Sequence, residues 1–155
     1  MNNSPYIRQT ASVQAVMFKV LAALLPAIVA YVWFFGAGIL VQIAIASAAA
    51  LLGEAAVLAA RRKPVAIFVA DGSALVTAWL IALTLPPIVP WWVTAVATLF
   101  GIVVIKHLYG GLGQNPFNPA MAAFCAMIVA FPAMISQWPP VGLPFAVQFD
   151  LILGG

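Results

Sequence analysis

Apolar residues run in blocks of about twenty along this chain, separated by short polar or proline-rich breaks. A helix rising 1.5 Å per residue crosses a roughly 30 Å hydrocarbon core in about 20 residues. The pattern predicts a first span over 16–35, kinked at Pro26 and with Tyr31 and Trp33 at an interface. A second is predicted over 38–60. Its small residues Ala46, Ser47, Ala48, Ala49, Ala50 and Gly53 let backbones approach closely in lipid, which places this helix at the centre. Segment 65–85 is interrupted, VAIFVA leading to Asp71-Gly72-Ser73 and then ALVTAWLIALTL. It reads either as a helix broken at Asp71–Ser73, or as an interfacial piece followed by a span from Ser73 to about Val89. Pro86, Pro87 and Pro90 end it, and Trp91 and Trp92 mark an aromatic belt. A fourth span is expected over 92–108 and a fifth over 119–136, with YGGLGQNPFNP beginning at Tyr109 between them.

Composition says which solvent this pattern serves. Of 155 residues, 66% are hydrophobic and 6% charged, against about 45–50% and about 25% in soluble domains. Too few polar side chains exist to cover a globule in water. The net charge of +3 is too small and scattered for a nucleic-acid surface, so no nucleic-acid partner is expected. The basic residues fall instead at alternate loops: Arg8 and Lys19 at the first span, Arg61, Arg62 and Lys63 after the second, Lys106 after the fourth. The positive-inside rule puts those loops, and the N-terminus, in the cytoplasm. The expected organisation is a cytoplasmic segment 1–15, a five-span membrane domain 16–136, and an extracytoplasmic tail 137–155 that reads as truncated. Five spans are half of the inverted repeat found in transporter folds. One cysteine, Cys125, and one histidine, His107, exclude an intrachain disulfide, a cysteine-based metal or iron–sulfur centre and bis-histidine haem within the chain. The polar stretch Met1 to Gln14 is not a secretory signal peptide.

Three places could carry chemistry. In Gly110-Gly111-Leu112-Gly113-Gln114-Asn115-Pro116-Phe117-Asn118-Pro119, the glycines permit a tight backbone with exposed N–H groups, and each Asn-Pro is a helix-start signal. Asn115 and Asn118 are spaced to point the same way, at the positive end of the fifth span, which favours anionic or electron-rich ligands. A rigid capping turn explains the same residues. Glu54 lies within the second span, roughly 10 Å below the basic turn. It is either a functional intramembrane acid or a partner for a nearby base. Asp71, at the break of the third segment, is either an ion-coupling group or the cap of the following half-helix. Lys106-His107 reads as an interfacial anchor, and Ser73, Thr77 and Thr84 as polar glue between helices. Asn118-Pro119-Ala120 spells the aquaporin box, but such channels need two.

The stretches LAALLPAIVAYVWFFG, DGSALVTAWLIALTLPPIVPWW and KHLYGGLGQNPFNPAM resemble the D component (RnfD) of the Rnf, or Rsx, electron-transport complex, over essentially the whole chain. A more distant resemblance is to the B component (NqrB) of the sodium-translocating NADH:quinone reductase. The resemblance implies an all-α integral membrane protein of the bacterial cell inner membrane, and the first of two inverted repeats in a urea-transporter-like fold. It implies a role in a flavin-containing, ion-translocating complex linking ferredoxin and NAD, with other membrane and peripheral Rnf proteins and the lipid bilayer as partners. It also implies FMN joined to a threonine beyond this chain, and riboflavin near Asn115 and Asn118 with Gly111 and Gly113 beside it. Glu54 aligns with a quinone-pocket glutamate, but the glycine pair expected next to it is absent. Glu54 and Asp71 remain candidates for proton or cation coupling, and no catalytic centre is complete within the chain. The alternatives are a solute channel or transporter half without a redox role, and a purely structural scaffold.

Overall fold

The computed structural model describes residues 12–109 and 115–154, and every regular element among them is a helix. Ser12 caps α1 (Val13–Phe35), its hydroxyl accepting the Ala15 N–H at 3.2 Å. Gly36 ends α1 with φ 89°, a left-handed value that opens a sharp turn into α2 (Gly38–Ala60). α2 ends in a Schellman motif. Arg62 takes φ 54°, its N–H donates to Ala59 O at 3.0 Å, and Lys63 N–H donates to Leu58 O at 2.9 Å.

The third segment is broken, as one of the two readings required. A short α3 (Val65–Val69) stops at Ala70, Gly72 turns with φ 78°, and α4 (Ser73–Thr84) starts afresh. α4 does not reach Val89. Pro86 and Pro87 lack N–H donors and restrict the residues before them, so 85–90 is non-helical. α5 (Trp91–Leu99) continues directly into a π-helical segment, Phe100–Leu108. The fifth segment is also interrupted: α6 (Pro119–Ala130) gives way at Phe131, before Pro132, to α7 (Pro132–Ile135). The tail forms α8 (Phe145–Gly154).

Among the described residues, three helices are thus long and apolar enough to cross a membrane: Val13–Phe35, Gly38–Ala60 and Trp91–Leu108. α4 and α6, 12 residues each, extend only about 18 Å. The five anticipated spans are three full-length helices and two half-length ones broken by proline or Asp-Gly. The chain is an all-helical integral membrane protein.

α2 is central, for the reason its small residues suggest. Ile39, Ala46 and Ala50 pack against Ala74, Ala78 and Ala82 of α4 and Ile102 of the π segment. A second cluster joins Ile81 and Leu85 to Val93 and Ala97 of α5 and Ala120, Ala123 and Met127 of α6. The break at 85–90 leaves carbonyls that lipid cannot satisfy. Fully buried Gln42 takes two of them, donating to Pro87 O at 3.3 Å and Val89 O at 2.5 Å, and accepts Thr94 Oγ1–H at 2.6 Å. Tyr31 donates to Leu85 O at 3.2 Å. α8 is tied to the same end: Gln148 Oε1 accepts Gly38 N–H at 2.8 Å.

At the opposite end of the bundle lie the start of α1, the end of α2, the start of α4, the end of the π segment and the start of α6. Gln14 donates to Ala70 O at 3.0 Å, and Arg61 donates to His107 O at 2.9 Å. The Arg61–Lys63 turn and the two ends of the Tyr109–Pro119 connection are therefore on one face.

Candidate functional site

A cavity of about 370 Å³ opens at this basic end. Its polar lining is Ser73 and Thr77 of α4, Lys106 of the π segment, and Asn115 and Asn118 from the connection before α6; Met17, Val76, Leu80 and Phe117 supply apolar wall. Ser73 and Asn118 are placed by local backbone geometry. Ser73 is the first residue of α4 after the N-cap Gly72, and the Asp71 carboxylate, one residue further back, accepts its N–H at 2.7 Å. Asn118 caps α6: its Oδ1 accepts Ala120 N–H at 2.9 Å while Pro119 takes the first helical position. That bond occupies the carbonyl of Asn118 and leaves its NH₂ as the part able to donate to a ligand.

Behind the cavity sits a buried ion pair. Lys106 Nζ lies 2.7 Å from Glu54 Oε1 and 2.7 Å from Ser73 Oγ. Lys106 and Glu54 are 3% and 2% exposed, so both charges have left water. His107 is also buried, its Nε2 3.6 Å from Glu54 Oε1. Lys106-His107 is not the interfacial anchor that the sequence suggests. An anchor reaches outward to headgroups, whereas both side chains turn inward toward the Glu54 carboxylate. Glu54 itself follows the pairing alternative, with a base 52 residues away that spacing along one helix could not disclose. Of the expected polar glue, Ser73 links to Lys106, while Thr77 and Thr84 donate to carbonyls of their own helix, Ser73 O at 3.0 Å and Ile81 O at 2.8 Å. Gly111 and Gly113 lie outside the described residues. A second, apolar cavity of about 430 Å³ adjoins the first, sharing Phe117 and Asn118 and bounded by Phe100, Ile105, Met121 and Cys125.

The lining sets two asparagine amides, two hydroxyls and one ammonium beside apolar side chains, a mixture suited to a small molecule that is part polar and part apolar. A model of the NQR2, RnfD, RnfE family matches residues 1–153, which takes in every element of this site. The chain belongs to the NQR2, RnfD, RnfE family. Among similar proteins, the D component of the ion-translocating oxidoreductase complex of Ectopseudomonas mendocina (strain ymp) is 53% identical over 152 residues, covering 97% of this chain and 44% of that protein. The D component of the same complex from Pseudomonas aeruginosa (strain LESB58) is 50% identical over 149 residues, 94% of this chain and 43% of that protein. That of Sodalis glossinidius (strain morsitans) is 46% identical over 138 residues, 89% and 40%. The chain therefore spans less than half the length of these NQR2, RnfD, RnfE family relatives.

Proposed function

We propose that this chain forms part of the membrane-embedded D component of an ion-translocating oxidoreductase complex, working with the other proteins of that complex. On this reading it lies in the bacterial inner membrane with the basic end and the N-terminus toward the cytoplasm. The cavity at that end is proposed to hold a flavin noncovalently, riboflavin being the simplest. The observation that carries the proposal is the meeting of Asn115 and Asn118 with Lys106 and Ser73 around one cavity of about 370 Å³, within the range of small-molecule sites.

The residues fit such a ring. The Asn118 NH₂, the Asn115 amide and Lys106 can bond the carbonyl-rich edge, and Phe117 offers an aromatic surface for the flat face. Bound there, a flavin supplies reversible one- and two-electron chemistry; the chain holds it, orients its edge and shields it from bulk water. Covalent FMN, on this reading, belongs to the part of the relatives' length that this chain does not span. A buried Glu54–Lys106 pair beside the cavity favours ion coupling over passage of a neutral solute, which needs no charge in the membrane. The test is the noncovalent flavin content of the full gene product purified with its partners. Replacing both asparagines by leucine is expected to remove the noncovalent flavin. Unchanged flavin would remove the site assignment.

A further inference from the structure

Glu54 has one oxygen engaged and one idle. Oε1 accepts the Lys106 ammonium, whereas Oε2 is buried with no hydrogen-bond partner among the described residues. His107 Nε2 is in the same condition and only 3.6 Å from Glu54 Oε1. Buried polar atoms are nearly always paired. Two orphaned atoms on neighbouring titratable side chains inside a membrane protein mark a place where a proton can be taken up.

Lys106 faces two ways. It bonds Glu54 and Ser73, and among the described residues it is also the one charged side chain lining the cavity. The other charged groups nearby are committed or remote: Asp71 accepts Ser73 N–H, Arg61 donates to His107 O, and Lys63 lies on the exposed basic turn. Negative charge in the cavity therefore competes with Glu54 for one ammonium.

We propose that Lys106 is a charge-shared switch: a negatively charged group in the cavity draws its ammonium away from Glu54, and Glu54 then takes up one proton. The balance closes. One negative charge enters the cavity, one proton comes from water at the basic end, Lys106 keeps its own proton, and the new bond is the O–H of Glu54. A buried carboxylate that loses its counter-ion does not stay charged in so dry a setting, so uptake follows the movement of the ammonium. Besides Lys106, His107 is the titratable side chain against the Glu54 carboxylate, its Nε2 3.6 Å from Oε1. The inference rests on the flavin reading only for the identity of the charge, since a reduced flavin is the anion that reading supplies.

The test is infrared difference spectroscopy of the full gene product with its partner proteins in lipid nanodiscs, before and after dithionite. The readout is the C=O stretch of a protonated carboxylic acid. The native protein is expected to gain this band on reduction, and Glu54→Gln to lose it in both states. Lys106→Met is expected to show it already before reduction, with the Glu54→Gln/Lys106→Met double variant silent. Flavin extracted from the same samples keeps the two readings apart. Full noncovalent flavin with no carboxyl change on reduction overturns the switch alone. Absence of noncovalent flavin overturns the flavin reading, and the switch is then decided by Lys106→Met before reduction. If that variant leaves Glu54 ionised, the proposal fails.

Discussion

Glu54 and Lys106, 52 residues apart on α2 and the π segment, form a 2.7 Å ion pair with both side chains almost fully buried. Breaking such a pair from one side forces the buried carboxylate to take up a proton at neutral pH, which costs stability, whereas removing both charges avoids that cost. Lys106→Met is expected to destabilise the fold by about 3–5 kcal/mol. The double variant with Glu54→Gln is expected to regain most of that loss. Thermal unfolding in detergent checks both; a double variant no better than the single one would mean that the pair does not act as a unit.

Asn118 has two jobs that different substitutions separate. Asn118→Ala removes the α6 cap and is expected to cost about 1 kcal/mol. Asn118→Asp keeps an oxygen for Ala120 N–H but loses the NH₂. Flavin content is expected to fall in both variants, and thermal stability only in Asn118→Ala. Flavin retained in Asn118→Asp would show that the amide donor is not used.

Gly36 is required twice. Its φ of 89° disfavours any Cβ, and a Cβ there would collide with the Gln148 side-chain amide. Gly36→Ala is expected to cost about 1–3 kcal/mol by unfolding. In a Gln148→Ala background the steric share disappears and the backbone share remains, so the added loss should be smaller.

Gln42→Leu leaves the Pro87 and Val89 carbonyls and the Thr94 hydroxyl without their partner. Each orphaned buried group costs about 1–3 kcal/mol. Thr94→Val, which deprives only Gln42 Oε1 of a donor, is expected to be milder. Equal effects in an unfolding experiment would mean that the carbonyl bonds contribute little.

Much of this is legible in the sequence, because lipid imposes long apolar runs and punishes loose backbone. The bounds of α2, the break at Asp71–Ser73 and the Asn118-Pro119 start of α6 all follow from local rules. The direction of Lys106 is not legible. A basic pair closing an apolar run looks the same whether it reaches out to headgroups or in to an acid. Only the packing of the π segment on α2 decides, and that is a tertiary fact. The early end of α4 is hidden for a similar reason. Prolines at 86 and 87 look like the close of a span, whereas they open an internal break that Gln42, far off in the sequence, makes tolerable.

The π-helical segment has a consequence for regulation by register. Bonding five residues ahead lets Phe100–Leu108 hold one residue more than an α-helix of the same height. If that spare residue moved past Lys106 and His107, the residues it passed would rotate by roughly 100°. Lys106 and His107 would then swing off Glu54 together, without any hinge, so a one-residue deletion in this stretch should uncouple the pair while leaving the helix whole.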